Sequence, residues 1–393
     1  MTDASFLIVG GGIAGVATAW SLTRLGASDV TLLEREQTLG TQSSGLNAAI
    51  LRTLSTDPLL AKFSKRGADF LHSPPADFSP VPLVHSCGLV LTADSSESAE
   101  LLRAHRAAPE LGGVEIDRDR LREWYPNLEL DVAVALYFPR EGRIDIAALM
   151  AGFESGARAT GARLETEAAI ESLLVEDGRV RGVRLVNGEE RLADRTILAA
   201  GAWAGLLGRT AGSSVELEPR RRHLMVTTPS EDAALGLPVL WHQGEAPFYT
   251  RPESGGMLFC ACDEQAVHPD RCTIDPDIQE RLAQRASQAL PDLAQSGIAS
   301  LWAGMRTFTR EGGFAIGPDP ELDGLYWVAG LGGHGMVCGG PAGELAAREL
   351  LGHSPDLRFL DKFSPSRTSL SRPTTMVGTL APAECSPEDR IQL

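Results

Sequence analysis

The sequence predicts an α/β fold (α+β overall), in which a Rossmann-like nucleotide-binding domain is interleaved with a mostly antiparallel β-sheet domain. Three observations lead to this prediction. Residues 6–36 have the pattern strand, glycine-rich turn, helix and strand, which is typical of a dinucleotide-binding βαβ unit. Residues 215–324 are patterned mostly as short strands, with one helix near 276–290. A second strand, glycine loop and helix follow over residues 325–351.

The first element is an apolar strand that ends at the turn Gly10-x-Gly12-x-x-Gly15. Gly10 permits the tight turn, Gly12 lets the backbone approach a pyrophosphate, and Gly15 lets the next helix pack closely on the strand. The N-terminus of that helix offers free N–H groups and a positive dipole end to phosphates. Glu34 ends the second strand, nineteen residues after Gly15, where it can accept hydrogen bonds from ribose hydroxyls. A purely structural glycine turn is the alternative.

The elements that follow are predicted from periodicity and turn residues. A short helix is expected at 45–51, an amphipathic helix at 58–73, a strand at 85–94, and helices at 95–106, 117–124 and 144–162. Several short strands follow, with hairpin turns at Asp177-Gly178 and Asn187-Gly188. A further strand ends at Gly201, and the next helix opens there.

A second glycine loop, Gly330-Leu-Gly332-Gly333-His-Gly335, also satisfies the GxGxxG pattern. Only 58 residues remain after Gly335, and no second strand ends in an acid at the expected distance. The sequence therefore favours one large cofactor that both loops contact over a separate nicotinamide site. FAD suits this arrangement, because its pyrophosphate and its flavin O2 both need hydrogen-bond donors.

The domain organisation predicted from these elements is discontinuous. The FAD-binding domain takes residues 1–57, 141–214 and 325–363, and the substrate-binding domain takes residues 58–140 and 215–324. Residues 364–393 are rich in Ser, Thr and Pro without periodicity, so a poorly ordered tail is predicted there.

Length, charge and cysteine usage narrow the class of protein. The 393 residues exceed the size at which one core stops growing, so two lobes are expected. The net charge of −16 argues against non-specific affinity for nucleic acid or anionic membrane. No apolar stretch is long enough to cross a bilayer, and the N-terminus lacks the basic region of a signal peptide. Because the six cysteines are scattered and no signal peptide is predicted, we expect reduced thiols, a cytoplasmic location and no metal site. The sequence does not predict the oligomeric state.

Five sequence blocks together resemble the FAD-dependent D-amino-acid oxidase superfamily. They are GGGIAG (10–15), Gln42-Ser43-Ser44-Gly45, TILAAGAWA (196–204), WAGMRTFTREGGFAIGPDP (302–320) and GLYWVAGLGGHGM (324–336). The resemblance covers nearly the whole chain to about residue 352. Among the branches, the chain is most similar to the bacterial D-amino-acid dehydrogenase and glycine oxidase group.

The resemblance implies which residues hold FAD. The residues at the ADP half would be Gly10, Gly12, Ile13, Ala14, Gly15 and Glu34, with Arg35 beside the adenine, Ala169 in backbone contact with it, and Gly201 and Trp203 closing over the cofactor. The residues along the ribityl chain and flavin ring would be Ser43, Ser44, Asn47, Ala48, Ala49, Gly332, Gly333, His334, Gly335 and Met336. Backbone N–H groups of residues 332–336 would stabilise the negative charge at flavin O2. Because the covalent-flavin cysteine of the sarcosine oxidase branch has no clear counterpart, FAD is expected to bind non-covalently.

The resemblance also implies three substrate-binding residues. Arg306 matches the arginine that binds the substrate carboxylate, a task that suits the planar fork of a guanidinium. Tyr249 and one arginine of the run 220–222 match further carboxylate-binding positions. On a strand, Arg220 and Arg222 share one face and Arg221 lies on the other, so only part of the run can face the site, and of these residues we favour Arg222. The alternatives are a solvated edge strand for the arginine run and an internal ion pair with Asp319 for Arg306.

The activity that the resemblance implies is oxidation of the C–N bond of a small D-amino acid by hydride transfer to flavin N5. The imine would then hydrolyse to a 2-oxo acid, and oxygen or a quinone-type carrier would take the electrons. Residues 45–52 lack the histidine and tyrosine of dehydrogenases for basic amino acids, which predicts a more apolar pocket. The alternatives are a secondary-amine oxidase for glycine, sarcosine or an imino acid, a 2-hydroxy-acid dehydrogenase, and a non-catalytic flavin-binding subunit.

Overall fold

Two large β-sheets, each covered by helices, dominate the computed structural model, which describes residues 4–230 and 236–369. The strands are β1 (Ala4–Val9), β2 (Val30–Leu33), β3 (Ile50–Leu51), β4 (Val84–His85), β5 (Leu89–Ala93), β6 (Val114–Glu115), β7 (Val134–Phe138), β8 (Gly142–Ile144), β9 (Arg163–Glu165), β10 (Ile170–Glu176), β11 (Arg179–Leu185), β12 (Glu190–Leu198), β13 (Leu217–Thr227), β14 (Val239–Gln243), β15 (Phe248–Glu253), β16 (Gly256–Cys260), β17 (Gln265–Ala266), β18 (Ile298–Thr309), β19 (Ala315–Pro318) and β20 (Leu325–Ala329).

The helices come mainly before and between these strands. They are α1 (Ile13–Arg24), α2 (Pro58–His72), α3 (Ser98–Ala107), α4 (Arg118–Trp124), α5 (Ile146–Ala159), α6 (Ala204–Ala211), α7 (Ile278–Ala289), α8 (Pro291–Ala294), α9 (Gly335–Leu350) and α10 (Leu357–Phe363). Short 3-10 turns occur at Pro109–Leu111, Gly201–Trp203, Pro269–Arg271 and Pro365–Ser369. In the part of the chain described, no helix combines the length and hydropathy that crossing a bilayer requires.

The first sheet has a parallel centre in the order β9, β2, β1, β12 and β20. All four residues of β2 are buried, as expected for a parallel strand covered on both faces. On one face α1, α2, α5 and α9 share an apolar core that includes Val16, Phe63, Phe153 and Val337. The antiparallel β10–β11–β12 ribbon and α6 contribute to the core on the other face. The expected Rossmann-like layer is therefore present.

The second sheet is antiparallel apart from the β5–β14 pair. Its order is β17, β13, β16, β15, β14, β5, β7 and β6, with β18 on β13. The β13–β18 pair is long, and its register sets Arg220 opposite Arg306 and Arg222 opposite Gly304. Apolar residues of α4, α7 and α8 pack on this sheet.

The structure bears out most of the predicted elements and corrects several others. The hairpins at residues 177–178 and 187–188 and the helix at 58–73 are present. Residues 45–49 form no helix, and Ile50–Leu51 instead form β3, which pairs with β8. Helix α2 packs on α9, and β19 pairs with β20, so both lie with the first sheet although the predicted boundaries put them in the other domain. Of the predicted tail, residues 370–393 lie outside the described part.

Candidate active site

One large cavity lies where the loops of the first sheet meet strands of the second. Its volume is about 710 Å³, within the range of cofactor and ligand sites. It is lined by the turn after β1, the serine loop at residues 40–44, the segment after β12, the loop after β20, and parts of β13, β15 and β18. Of the residues predicted for the site, all but Gly15 line this cavity.

The first glycine turn has the geometry that its sequence predicts. Gly10 has φ +109°, and a Cβ there would lie 2.6 Å from the carbonyl oxygen of Ala199. A Cβ on Gly15 would lie 1.9 Å from the carbonyl oxygen of Gly10. Gly15 is therefore needed for the packing of α1 on the turn, while Gly12, the N-cap of α1, lines the cavity.

The serine loop is attached to the N-terminus of α1. The Ile13 N–H donates to Oγ of the buried Ser44 at 2.9 Å. Asn47 fixes the following residues, because its Nδ2 donates to the Ser44 carbonyl at 2.7 Å and its Oδ1 accepts from the Ala49 N–H at 2.7 Å. Ala49 has φ +55°, a left-handed conformation that is uncommon outside glycine. The loop thus holds Ala48 and Ala49 against the cavity.

Glu34 holds the glycine turn through backbone hydrogen bonds. Its carboxylate accepts from the Gly11 N–H at 2.6 Å and from the Glu36 N–H at 2.9 Å. A carboxylate has about four acceptor positions, so capacity remains for ribose hydroxyls. The predicted contact to ribose is thus compatible with a structural task that the sequence analysis did not include.

A contact between the two sheets closes the cavity beside Glu34. The Arg35 guanidinium lies 3.8 Å from the centre of the Trp203 ring, and Trp203 Nε1 donates to Asp270 Oδ1 at 2.6 Å. Asp270 belongs to the turn Pro269–Arg271, far from Trp203 in sequence. Asp270 could not be predicted from the sequence, because no motif marks this turn.

The second glycine loop offers fewer free N–H groups than expected. The Gly332 N–H donates to the Thr307 carbonyl at 2.9 Å, and the His334 N–H donates to the Leu331 carbonyl at 2.9 Å. The N–H groups of residues 333, 335 and 336 make no backbone hydrogen bond within the described residues and are available to a ligand. The N–H groups expected at flavin O2 can therefore come only from residues 333, 335 and 336 of this loop.

His334 is uncharged in this setting. Burial, followed by the positive charge of Arg52, lowers the pKa of its imidazole to about 3. Cys338 lies in α9, of which His334 is the N-cap, but it does not line the cavity, and its thiol contacts the Ser64 hydroxyl at 3.4 Å. This placement supports the expectation of a non-covalent flavin.

Arg306 presents a buried guanidinium to the cavity. Its exposure is 6%, and its one recorded hydrogen bond runs from Nη1 to the Met305 carbonyl at 3.2 Å. No carboxylate of the described residues lies within ion-pair distance of it. Asp319 binds Ser213 and Trp327 instead, which removes the alternative of an Arg306–Asp319 pair. A buried cation without a partner is costly, so an anionic ligand is the natural complement of this side chain.

Among the three consecutive arginines, Arg222 is the one that lines the cavity. Its guanidinium pairs with Glu264, and its Nε donates to the Asp263 carbonyl at 3.2 Å. Arg220 pairs with Glu218 and Glu264, and Arg221 with Asp275. The cavity therefore agrees with the preference for Arg222 within the run, although the charge of Arg222 is already balanced by Glu264.

Tyr249 is buried on β15, with its ring centre 4.6 Å from that of Trp241. Burial, with the nearby Cys260, raises the pKa of its phenol well above the usual range, while the charges of Arg306 and Arg222 oppose the rise. The hydroxyl therefore stays protonated and can donate a hydrogen bond to a ligand.

Arg52 is a cavity residue that the sequence analysis missed. It follows β3 directly, and its guanidinium carbon lies 4.3 Å from the centre of the Trp241 ring. The expectation of a more apolar pocket from residues 45–52 is wrong at this position. The only signal available was an arginine at the end of an apolar run, which usually marks a strand end at the surface.

The cavity fits the FAD that the resemblance implies. The glycine turn leaves no room for side chains, the N–H groups at the start of α1 and α9 are partly free, and the cavity extends from Glu34 to Arg306. In the described ranges, no cluster of three or more His, Cys, Asp or Glu side chains is arranged to hold a metal ion.

Comparison with known proteins gives the family of this chain and structures that share its fold. The family model described as FAD dependent oxidoreductase matches residues 5–349. Glycine oxidase from Pseudomonas putida (strain KT2440) is 26% identical over 357 residues, which cover 89% of this chain and 95% of the relative. The crystal structure of L-proline dehydrogenase from P. horikoshii has a TM-score of 0.83 at 22% identity and covers 93% of this chain and 98% of that one.

A longer relative is also similar. The 4-methylaminobutanoate oxidase (formaldehyde-forming) of Paenarthrobacter nicotinovorans is 26% identical over 369 residues, 90% of this chain. The match covers 44% of the relative, so this chain spans less than half the length of that protein.

Proposed function

The chain belongs to the FAD dependent oxidoreductase family, and we propose that it oxidises the C–N bond of a small amino acid whose carboxylate binds Arg306. The relatives of this family named above oxidise amino acids or amines. The observation that carries this proposal is the buried guanidinium of Arg306, which faces the cavity without an acidic partner among the described residues. A bidentate contact from a guanidinium to a carboxylate fixes both position and orientation.

FAD, held by the two glycine loops and the serine loop, would supply the oxidising power as the acceptor of a hydride from the carbon that bears the amine. Arg306 orients the carboxylate, and the protonated Tyr249 hydroxyl beside it can donate a further hydrogen bond. Neutral His334 adds no charge to this end of the cavity. The resulting imine hydrolyses to a 2-oxo acid.

The amine is proposed to react in its neutral form. The acidic residues that line the cavity in the described chain are Glu34, Glu171 and Asp270, and none of them forms an ion pair with Arg306. No carboxylate is thus placed beside Arg306 to act as a general base. The positive charge of Arg306 instead favours loss of the amine's proton, because a nearby like charge lowers the pKa of a cation.

The first candidate substrate class is a small D-amino acid, as the sequence resemblance implies. A second candidate, a secondary amine such as sarcosine or an imino acid, is favoured by the names of the relatives, which act on glycine or on an N-methylated amino acid. Oxidation of a 2-hydroxy acid would release no ammonia or amine. In a non-catalytic subunit, none of these compounds would reduce the flavin. The cytoplasmic location and the electron acceptor remain predictions.

Anaerobic titration of the purified holoenzyme separates these candidates. D-amino acids, glycine derivatives, imino acids and 2-hydroxy acids are added in turn while the flavin absorbance is followed, and released ammonia or amine is measured. Bleaching by an amine with release of ammonia or amine supports the proposal. Bleaching by hydroxy acids alone, or by none of the compounds, contradicts it. Admission of air then distinguishes oxygen from another acceptor.

A further inference from the structure

We propose that Arg251 is a positioning residue of the cofactor site, which holds Ala48 in place from the second sheet so that the Ala48 N–H can donate to the flavin. The inference goes beyond the proposed function, because it concerns how the protein holds FAD and assumes nothing about the amine that is oxidised. Its test therefore succeeds or fails independently of the role of Arg306.

Arg251 contacts the segment that follows the serine loop, although it belongs to the other sheet. It lies on β15 and is 4% exposed, and its Nε donates to the Ala48 carbonyl oxygen at 2.7 Å. Ala48 is itself buried and packs in the same apolar cluster as Tyr249. Tyr249 lies two residues before Arg251, on the same face of β15. One strand of the second sheet thus carries both a cavity residue and an anchor for the segment after the serine loop.

Arg251 and Asn47 hold the two polar ends of one peptide group. The carbonyl of this group is that of Ala48, which accepts from Arg251. Its N–H is that of Ala49, which donates to Asn47 Oδ1 at 2.7 Å. The Ala49 carbonyl in turn accepts from the Ile144 N–H at 2.8 Å. Because Ala49 has φ +55°, a conformation that persists in alanine only when its surroundings hold it, these contacts supply the constraint that the segment needs.

The Ala48 N–H is left available to a ligand. It makes no hydrogen bond within the described residues, and Ala48 lines the cavity. An N–H of a buried residue that is not bonded to the protein costs free energy, so an acceptor on a ligand is its natural complement. The ring nitrogen and carbonyl oxygen atoms of a flavin are such acceptors, and the sequence resemblance puts Ala48 along this part of the cofactor.

Arg251 acts through Ala48 and not on the ligand. It does not line the cavity, and its Nη1 donates to the Pro252 carbonyl at 2.9 Å and to Glu253 at 2.5 Å. Burial lowers the pKa of the Arg251 guanidinium, and the charge of Glu253 opposes that change. The charge of Arg251 is thus balanced within the protein, in contrast to that of Arg306.

The test measures the dissociation constant of FAD and the midpoint potential of the bound flavin, neither of which needs an amine substrate. The fluorescence of flavin released on dilution of the holoenzyme gives the first, and equilibration of the holoenzyme with reference dyes gives the second. Arg251→Met removes the donor at nearly the same side-chain length. We expect a roughly tenfold rise in the dissociation constant, as for the loss of one charge-assisted hydrogen bond that acts through the loop. We also expect a lower midpoint potential, because a displaced N–H donor stabilises the negative charge of the reduced flavin less well.

Three further variants separate positioning of the loop from a general loss of stability. Arg251→Lys keeps a donor without the guanidinium fork and should recover part of both changes. Glu253→Gln removes a one-third exposed ion pair but leaves the donor to Ala48, so both values should stay close to those of the wild type. Arg118→Met is the matched control and should change neither value, because Arg118 also donates to a backbone carbonyl, that of Val132 at 2.9 Å, but does not line the cavity.

A purely structural role of Arg251 gives a different pattern. In that case Arg251→Met lowers the urea midpoint of the holoenzyme while the dissociation constant of FAD and the flavin potential match the wild type, a result that overturns the inference. If Arg251→Met does not fold, Arg251→Lys is combined with Asn47→Ala, which removes the contact at the other end of the same peptide group. The double variant should raise the dissociation constant by less than the product of the two single changes, because both act on one peptide group. A rise equal to that product overturns the inference.

Discussion

Arg220 and Arg306 stand directly opposite each other in the β13–β18 pair, yet their side chains have different environments. Arg220 is paired with Glu218 and Glu264 and is 32% exposed. Arg306 has no acidic partner among the described residues, and its side chain lines the cavity. Two arginines of equal charge at matched positions thus differ in whether the protein itself neutralises them. This difference supports the proposal that Arg306 binds an anionic ligand.

The protein should purify with FAD that is bound tightly but not covalently. Two glycine loops and Glu34 line the cavity, while Cys338 is buried away from it. Precipitation with trichloroacetic acid should leave the yellow colour in the supernatant. Colour in the pellet would mean a covalent flavin, and a colourless protein that cannot be reconstituted would contradict the assignment of the cofactor.

Gly15→Ala should prevent the glycine turn from forming. Alanine normally favours a helix over glycine by about 1 kcal/mol, but here its Cβ would lie 1.9 Å from the Gly10 carbonyl oxygen. We expect a lower melting temperature and loss of bound flavin. Gly236→Ala is the control, because no atom of the described residues lies within 4 Å of its added Cβ. A stable Gly15→Ala protein with full flavin content would contradict this account of the turn.

Asp270→Ala should weaken the retention of FAD. The substitution removes the hydrogen bond from Trp203 Nε1, which joins the two sheets beside the cavity. A hydrogen bond to a charged group contributes about 1.5–3 kcal/mol when buried and less when exposed, so we expect a roughly three- to tenfold rise in the dissociation constant of FAD. Fluorescence of released flavin measures it. Asp292→Ala is the control and should leave FAD binding unchanged, because Asp292 accepts a hydrogen bond from Asn127 and does not line the cavity.

Glu141 should make stability fall as the pH rises. Burial raises the pKa of its carboxyl from 4.5 to about 7, so the folded protein holds more protons than the unfolded chain between these values. The free energy of unfolding therefore decreases through this window, by up to about 3 kcal/mol. Glu141→Gln, which keeps an acceptor for Thr53, should flatten that dependence. Urea unfolding at pH 5 and 7.5 checks it, and equal pH dependence of the two proteins would refute it.

The sequence was sufficient for features whose cause is local. Gly10, Gly15 and Glu34 could be identified because each feature depends on a few neighbouring residues. These features are the turn, the close helix packing and the end of the strand. Arg52 and Asp270 could not be identified, because only tertiary packing brings them to the cavity. Arg52 follows a strand of two residues, and Asp270 lies in a turn 67 positions from Trp203. The predicted helix at residues 45–51 fails for a related reason, since Ser44 and Asn47 bond α1 and their own loop instead.

Flavin reduction by substrate in Arg306 variants tests the central claim most directly. The holoenzyme, Arg306→Ala, Arg306→Lys and the control Arg220→Ala are titrated anaerobically with the best carboxylate substrate. We expect Arg306→Ala to keep its fold and FAD while reduction weakens roughly ten- to a hundredfold or more, because a charge-assisted bidentate contact is lost. Arg306→Lys should recover part of this loss, and Arg220→Ala should match the wild type. A stable, yellow Arg306→Ala protein that its substrate reduces as readily as the wild type would contradict the account.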